Sequence, residues 1–320
     1  MNTTSAIELW PEEYEGLRAE ARGMAEAIVA AYATSGLPPA DRDERVRMQR
    51  EMIAAFERES PAGTDEEIAG VRCRVFRPAG PTTAVYLHIH GGAMMLGSPR
   101  MNDLGNAGYS ERLGFAVVSV DYRLAPEHPF PAGSDDCLAV ARWLVEHAGT
   151  ELGSDRLLIG GESAGGYFAA LTLLRVRDEL GAADRFVGAN LGFGVYDLGG
   201  TPSGRGMRPS TVPDVLDAEL SAFVRECFLP GRTIEDARAP EISPLYADLH
   251  GMPPALFTVG SADHLLDDNL FMAARWAAYG NSSELAVYPD CGHGFVSVPI
   301  ELAKRANERI ERFFDDVLAR

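Results

Sequence analysis

The sequence runs to 320 residues, 46% hydrophobic and 24% charged, with 33 glycines and 20 prolines. It is long enough for one large domain with a full core, or a catalytic domain with a lid, and its composition excludes a disordered chain or a fibre. Its 29 basic residues against 47 acidic ones give a formal net charge of −18, a field that repels nucleic acid and anionic membrane and suits a small neutral substrate.

Met1–Trp10 has neither a basic n-region nor an apolar h-region, and no apolar run approaches the roughly 20 residues that span a bilayer. The expectation is a cytoplasmic protein without a membrane anchor. Cys73, Cys137, Cys227 and Cys291 are scattered with no CxxC pair, which signals free thiols and neither a disulfide framework nor a zinc site. Cys291, two residues before His293, reads first as a buried filler and second as a nucleophile.

From Pro11 to about Glu59 the pattern is helical: Tyr14, Leu17, Ala21, Met24 and Ile28 recur at helical spacing, and a charged helix runs from Asp41 to Glu59 beyond a Gly36-Leu37-Pro38-Pro39 break. Strand-like runs follow at Gly70–Arg77, Ala84–His90 and Phe115–Asp121, then a helix over Ser134–Ala148, a strand over Arg156–Gly160 and a helix beginning near Ser163. Further strands are expected at Phe186–Phe193, Ala255–Val259 and Glu284–Tyr288, with a terminal amphipathic helix from about Pro299 to Ala319. Alternation of strand and helix predicts an α/β fold whose mostly parallel sheet is covered on both faces. The stretch between Phe193 and Ala255, with a loop over Leu198–Pro213 and a helix near Asp217–Phe228, is too long for a simple connection and suits a lid or binding loop.

Gly161-Glu162-Ser163-Ala164-Gly165 follows the apolar run Leu157–Ile159 and precedes a helical pattern of Phe168, Leu171 and Leu174. A sharp strand-to-helix turn of this kind lifts a serine hydroxyl above the sheet, and its glycines let strand and helix approach. Serine needs a base, and the base an orienting carboxylate. Asp263 stands at the end of one predicted strand and His293 in the turn Cys291-Gly292-His293-Gly294-Phe295 after the last, giving the chain order Ser, Asp, His. Asp197, Asp267 and Asp268 are weaker candidates for the acid, since they suit a cap, a turn or a first helical turn.

His90-Gly91-Gly92-Ala93 follows the strand ending at Ile89, where the amides of Gly91 and Gly92, with that of Ala164, suit an oxyanion hole; a plain glycine turn is the alternative. His88 and His90 form an HxH pair, but no further ligand has metal spacing, so hydrogen-bonding roles are expected for both.

Together with Asp121-Tyr122-Arg123-Leu124-Ala125-Pro126-Glu127-His128-Pro129-Phe130-Pro131-Ala132, these motifs resemble the hormone-sensitive-lipase-like (bacterial family IV) esterases, in motif order from about Arg77 to Phe295. The resemblance implies an α/β-hydrolase fold with a helical cap, Ser163 as nucleophile, Gly91, Gly92 and Ala164 as oxyanion donors, and cis peptides before some of Pro126, Pro129 and Pro131. It further implies that the amino-terminal helices, residues 1–60, join an insertion at about 197–245 to form the cap on a catalytic domain spanning residues 61–320. Ala93 departs from a third glycine, with a small expected effect. Glu162 replaces a common Asp, either holding the loop near His293 or sitting as a tolerated elbow residue. Asp121 and Arg123 are expected to pair in a structural block.

The implied activity is hydrolysis of short- to medium-chain carboxylic esters by a Ser163–His293–Asp263 acyl-enzyme route that calls for no metal or organic cofactor. Rivals are an amidase or deacetylase with the same triad, a non-catalytic receptor for a small ligand, and a surface-active lipase. Met94, Met95, Leu96, Phe223 and Phe228 are candidate pocket residues, each also a plausible core side chain. A last strand at the sheet edge suggests a homodimer.

Overall fold

The computed structural model describes residues 8–33, 38–55 and 57–320. Gly36 and Leu37 of the expected interhelical break, Phe56 of the second helix and the first seven residues lie outside the described residues. A short 3-10 turn, Glu12–Leu17, leads into α1 (Arg18–Ala33). Helix α2 (Arg42–Ala54) starts where the Asp41 carboxylate accepts the Glu44 N–H at 2.9 Å, and it ends before the predicted Glu59.

Next come β1 (Gly63–Ile68), β2 (Val71–Phe76), β3 (Ala84–Ile89), α3 (Asp103–Leu113), β4 (Phe115–Val120), α4 (Ala132–Leu152), β5 (Leu157–Glu162) and α5 (Ala164–Arg175). After β6 (Phe186–Gly192) the long connection holds α6 (Ala218–Phe228) and the four-residue α7 (Ile234–Ala237). The chain closes with β7 (Ala255–Gly260), α8 (Leu266–Ala278), β8 (Ser283–Tyr288) and α9 (Glu301–Leu318).

Among the described residues eight strands form one sheet in the order β1-β2-β4-β3-β5-β6-β7-β8. β2 pairs antiparallel with both β1 and β4, and every pairing from β4 to β8 is parallel. Strands β3, β4 and β7 are buried along their whole length, as expected where helices cover both faces of a parallel sheet. One face packs against α4 and α5 through residues such as Leu87, Val118, Leu144 and Phe168. The other packs against α9 through Tyr86, Val117, Leu158 and Phe314.

Strand β1 escapes the sequence reading because Gly-Thr-Asp-Glu-Glu-Ile is a largely exposed edge strand with no apolar alternation. Helix α3 escapes it too, since its buried face is built from Asp103, Asn106, Gly108 and Ser110. The expected Asp121–Arg123 pair does not form: Asp121 pairs with Arg72 at 2.8 Å, while Arg123 clasps Asp136 at 2.8 Å. The peptides Ala125–Pro126 and Phe130–Pro131 are cis. Among the described residues no helix is long and apolar enough to cross a membrane.

Candidate active site

Ligand sites of open α/β sheets lie beyond the carboxyl ends of the strands, and here four strand ends supply the sequence-predicted residues. Ser163 ends β5 with φ 57° and ψ −117°, a strained conformation for a residue with a side chain. The turn is tight: a Cβ added at Gly161 or Gly165 would collide with the Ile89 carbonyl at the end of β3. Its hydroxyl is held forward, its amide donating to the Gly192 carbonyl at 2.9 Å.

Asp263 follows β7 and His293 follows β8. The His293 Nε2 lies 3.0 Å from the Ser163 Oγ, and its Nδ1 lies 3.0 and 3.1 Å from the two Asp263 oxygens. Asp263 is fully buried and also accepts the Leu265 N–H at 2.8 Å. Burial opposes a charged His293, but the charge and hydrogen bond of Asp263, with the charge of Asp214, outweigh it and raise the imidazole pKa above 6.5. The edge of the Phe193 ring, at the end of β6, packs against the imidazole with centroids 5.0 Å apart.

Gly91 and Gly92 leave β3 beside this turn. A Cβ at Gly91 would sit 2.9 Å from the Glu162 carbonyl and 3.6 Å from the Ser163 Cβ. Gly92 has φ +112°, and a side chain there would strike the Leu96 carbonyl. Ala164 opens α5, where the first helical amides have no partner within the helix. Ala93 and Met94 hold left-handed φ values of 53° and 59°; a third glycine at position 93 would remove the strain there.

His88 and His90 have the hydrogen-bonding roles expected of them. His88 bridges Ser119 at 2.8 Å and Glu162 at 3.2 Å; His90 binds the Gly91 carbonyl at 2.7 Å and stacks on Tyr122. Burial lowers the His90 pKa to about 3, against the pull of that carbonyl. Glu162 turns toward His88 and the Asn102 amide at 3.2 Å, so it braces the elbow against β3 and the turn before α3 and not against the His293 loop. Cys291 is buried and its thiol pKa is pushed up by burial, which leaves it packed and unreactive.

The weaker acid candidates are occupied elsewhere. Asp197 pairs with Arg238 at 3.3 Å, and Asp267 accepts the Ser203 N–H at 2.8 Å. Asp268 is more than a first-turn helix residue: it accepts the Tyr196 and Asp197 amides at 2.7 and 2.9 Å and the Thr201 hydroxyl at 2.6 Å. Burial pushes its pKa up to about 7 against those bonds.

Ser163 stands at the wall of a cavity of about 290 Å³ whose apolar lining includes Met94, Leu198, Leu216, Leu220, Val224 and Leu265. Of the pocket candidates only Met94 is there. Met95, Leu96 and Phe228 are core residues, and Phe223 lies under the Arg45 guanidinium at 4.2 Å. Composition alone does not separate a pocket wall from a core in a segment with so many apolar residues.

A family model described as the alpha/beta hydrolase fold matches residues 86–297. A solved hormone-sensitive lipase from a metagenome library superposes with a TM-score of 0.79 at 28% identity, over 93% of this chain and 98% of that one. The chain belongs to the hormone-sensitive-lipase-like α/β-hydrolases. The hyperthermophilic esterase of the archaeon Pyrobaculum calidifontis also superposes, with a TM-score of 0.78 at 28% identity, covering 90% of this chain and 95% of that one. In sequence, this hydrolase is 37% identical over 219 residues to the carboxylesterase NlhH of Mycobacterium tuberculosis, a stretch that covers 67% of this chain and 66% of that relative.

The residue that sequence reasoning missed is Asp214, in the connection between β6 and β7. Its carboxylate accepts the backbone N–H of His293 and of His264, each at 2.9 Å. The only prior signal is a Pro-Asp step inside a loop, and no spacing rule links it to partners 50 and 79 residues away.

Proposed function

We propose that this hydrolase cleaves short- to medium-chain carboxylic esters through an acyl-enzyme on Ser163. The observation that carries the reading is the unbroken relay from Ser163 Oγ through His293 to buried Asp263, facing an apolar cavity. Ser163 attacks the ester carbonyl as His293 Nε2 takes its proton, and the same nitrogen then protonates the departing alcohol; water, deprotonated by His293, attacks the acyl carbon, the bond to Oγ breaks and His293 returns the proton to Ser163 as the acid leaves. Asp263 keeps the Nδ1 proton in place and stabilises the imidazolium. The amides of Gly91, Gly92 and Ala164 receive the oxyanion, a contribution of about 2.7–4 kcal/mol per donor to the barrier in acyl-transfer enzymes.

Short to medium acyl chains suit a cavity of about 290 Å³, at the small end of ligand pockets. In this reading α1, α2 and the β6–β7 connection form the cap: Arg45 of α2 reaches Glu219 of α6 at 3.3 Å, and Arg18 and Arg22 of α1 grip Asp290, beside the His293 loop, at 3.0 Å. A cytoplasmic location fits four cysteines that are all buried and unpaired, and a homodimer fits the edge position of β8.

The test is hydrolysis of p-nitrophenyl esters from acetate to long acyl chains, with Ser163→Ala alongside. Turnover that peaks at short chains and is lost in the variant is expected. Matched anilides turned over as fast as esters would make the protein an amidase, and the absence of turnover on either would leave the receptor reading.

A further inference from the structure

Asp214 lies outside both loops that carry the proposed base and its acid, and its carboxylate accepts a backbone N–H from each of them. One oxygen accepts the N–H of His293 at 2.9 Å and also that of Val215 at 2.9 Å; the other accepts the N–H of His264, next to Asp263, at 2.9 Å. The approach depends on Gly292, where a Cβ would meet an Asp214 oxygen at 3.1 Å. Neither loop is otherwise part of a helix or strand, so their relative placement depends on such bridges. Their direct links are Ala262 N–H to the Cys291 carbonyl at 3.0 Å, Ser261 N–H to the Tyr288 carbonyl at 2.8 Å, Asp290 N–H to the Ser261 hydroxyl at 2.8 Å and the Asp263–His293 contact itself; of these only the last reaches His293.

We infer that Asp214 is a positioning residue for the hydrolysis proposed above: a clamp, delivered by the β6–β7 connection, that fixes the His293 backbone against the Asp263 loop and so couples placement of the cap to assembly of the relay. The clamp touches backbone, so it sets where the imidazole starts from and leaves Nε2 free for Ser163. It is also the second negative charge near the imidazole. The other groups facing His293 are Asp263 from the β7 loop, the Ser163 hydroxyl and the Phe193 ring. Helix α1 contributes only apolar side chains to that contact, Ala21, Met24, Ala25, Ile28 and Val29, while its Arg18 and Arg22 are engaged by Asp290.

An asparagine at 214 keeps one accepting oxygen and turns an amide toward the other backbone N–H, so one loop is released. Loss of a hydrogen bond to a charged group predicts a fall in kcat of about 10- to 100-fold in Asp214→Asn with KM little changed. The acid limb of the rate profile moves to lower pH, because a charge favouring the imidazolium is gone. Asp214→Glu keeps the charge but lengthens the arm, so it loses kcat while holding the acid limb in place; circular dichroism and thermal melting confirm that both variants fold.

The experiment runs the two variants and the wild type in parallel through ester turnover and through the rate of Ser163 labelling by a fluorophosphonate, which needs the relay but no particular ester. Labelling slowed by the same factor as turnover, with the acid limb shifted only in Asp214→Asn, is the expected result. Folded variants that match wild type in labelling, kcat and pH profile overturn the clamp. A wild type that labels but hydrolyses no ester overturns the ester reading while the labelling ratio still decides the clamp; a wild type that does neither refutes both.

Discussion

Replacing Asp263 by asparagine tests the relay at its least accessible member. Asp263 is fully buried, with His293 Nδ1 at 3.0 Å and the Leu265 N–H on the same oxygen that lies 3.1 Å from Nδ1. In the variant the carbonyl oxygen keeps the Leu265 bond and the amide nitrogen then faces Nδ1 as a donor. The imidazole answers by carrying its proton on Nε2, pointing at the serine oxygen 3.0 Å away, where it can no longer accept one. In serine hydrolases the wrong tautomer costs about 10⁴ in kcat with the geometry intact, about 5.5 kcal/mol of barrier. Initial rates on p-nitrophenyl acetate measure it, with circular dichroism and thermal melting showing that the variant is folded. An Asp263→Asn enzyme within about tenfold of wild type would refute the argument, since it would mean that another group sets the tautomer.

Other consequences can be checked with the same protein. Because His293 must be neutral to act as base and its pKa is raised above 6.5, kcat/KM should rise along a limb centred above that value. A raised histidine pKa stabilises the fold fully below 6.5 and ceases to do so as pH climbs through the raised value; the stability advantage of wild type over His293→Gln should therefore shrink over the pH range in which activity appears, and an advantage that grows there would contradict the assignment. The buried pair Arg74–Asp103, at 2.8 Å with side chains 4% and 0% exposed, also holds the Ser60 carbonyl at 2.8 Å and the Ser60 N–H at 2.9 Å. Arg74 also pairs with Asp65 at 3.1 Å and Glu59 at 3.3 Å, so Asp103→Ala leaves it partly compensated and should lose about 1.5–3 kcal/mol in urea unfolding; a loss below about 0.5 kcal/mol would show that those two carboxylates suffice. Val224→Trp fills the cavity, so it should depress kcat/KM for hexanoate at least about 10-fold more than for acetate; an unchanged chain-length profile would move the acyl site elsewhere.

The sequence makes the relay legible because its chemistry is bound to local patterns. Gly161–Gly165 announces a sharp turn, His90–Gly92 a glycine loop at a strand's end, and the strands before Asp263 and His293 are apolar enough to show where their carboxyl ends lie. Parallel strands buried on both faces, such as β3, β4 and β7, are the easiest elements to read for the same reason. Features without a local apolar pattern, or with partners far along the chain, stay hidden. Strand β1 pairs through its backbone and shows no apolar period, α3 buries Asp103 and Asn106 against β2 and β3 through Arg74 and His88, and the partners of Asp121 and Arg123 are chosen by tertiary packing. Asp214 belongs to that second group: a carboxylate aimed at two backbone amides leaves no residue-type signature at either partner.

The central claim is that Ser163 becomes covalently acylated during turnover. Intact-mass spectrometry of enzyme quenched in the steady state with p-nitrophenyl butyrate, followed by peptide mapping, measures this directly. The account predicts a butyryl group, at most one per chain, on the peptide carrying Ser163 and absent in Ser163→Ala; an acyl group on another residue, or turnover that persists in Ser163→Ala, would contradict it.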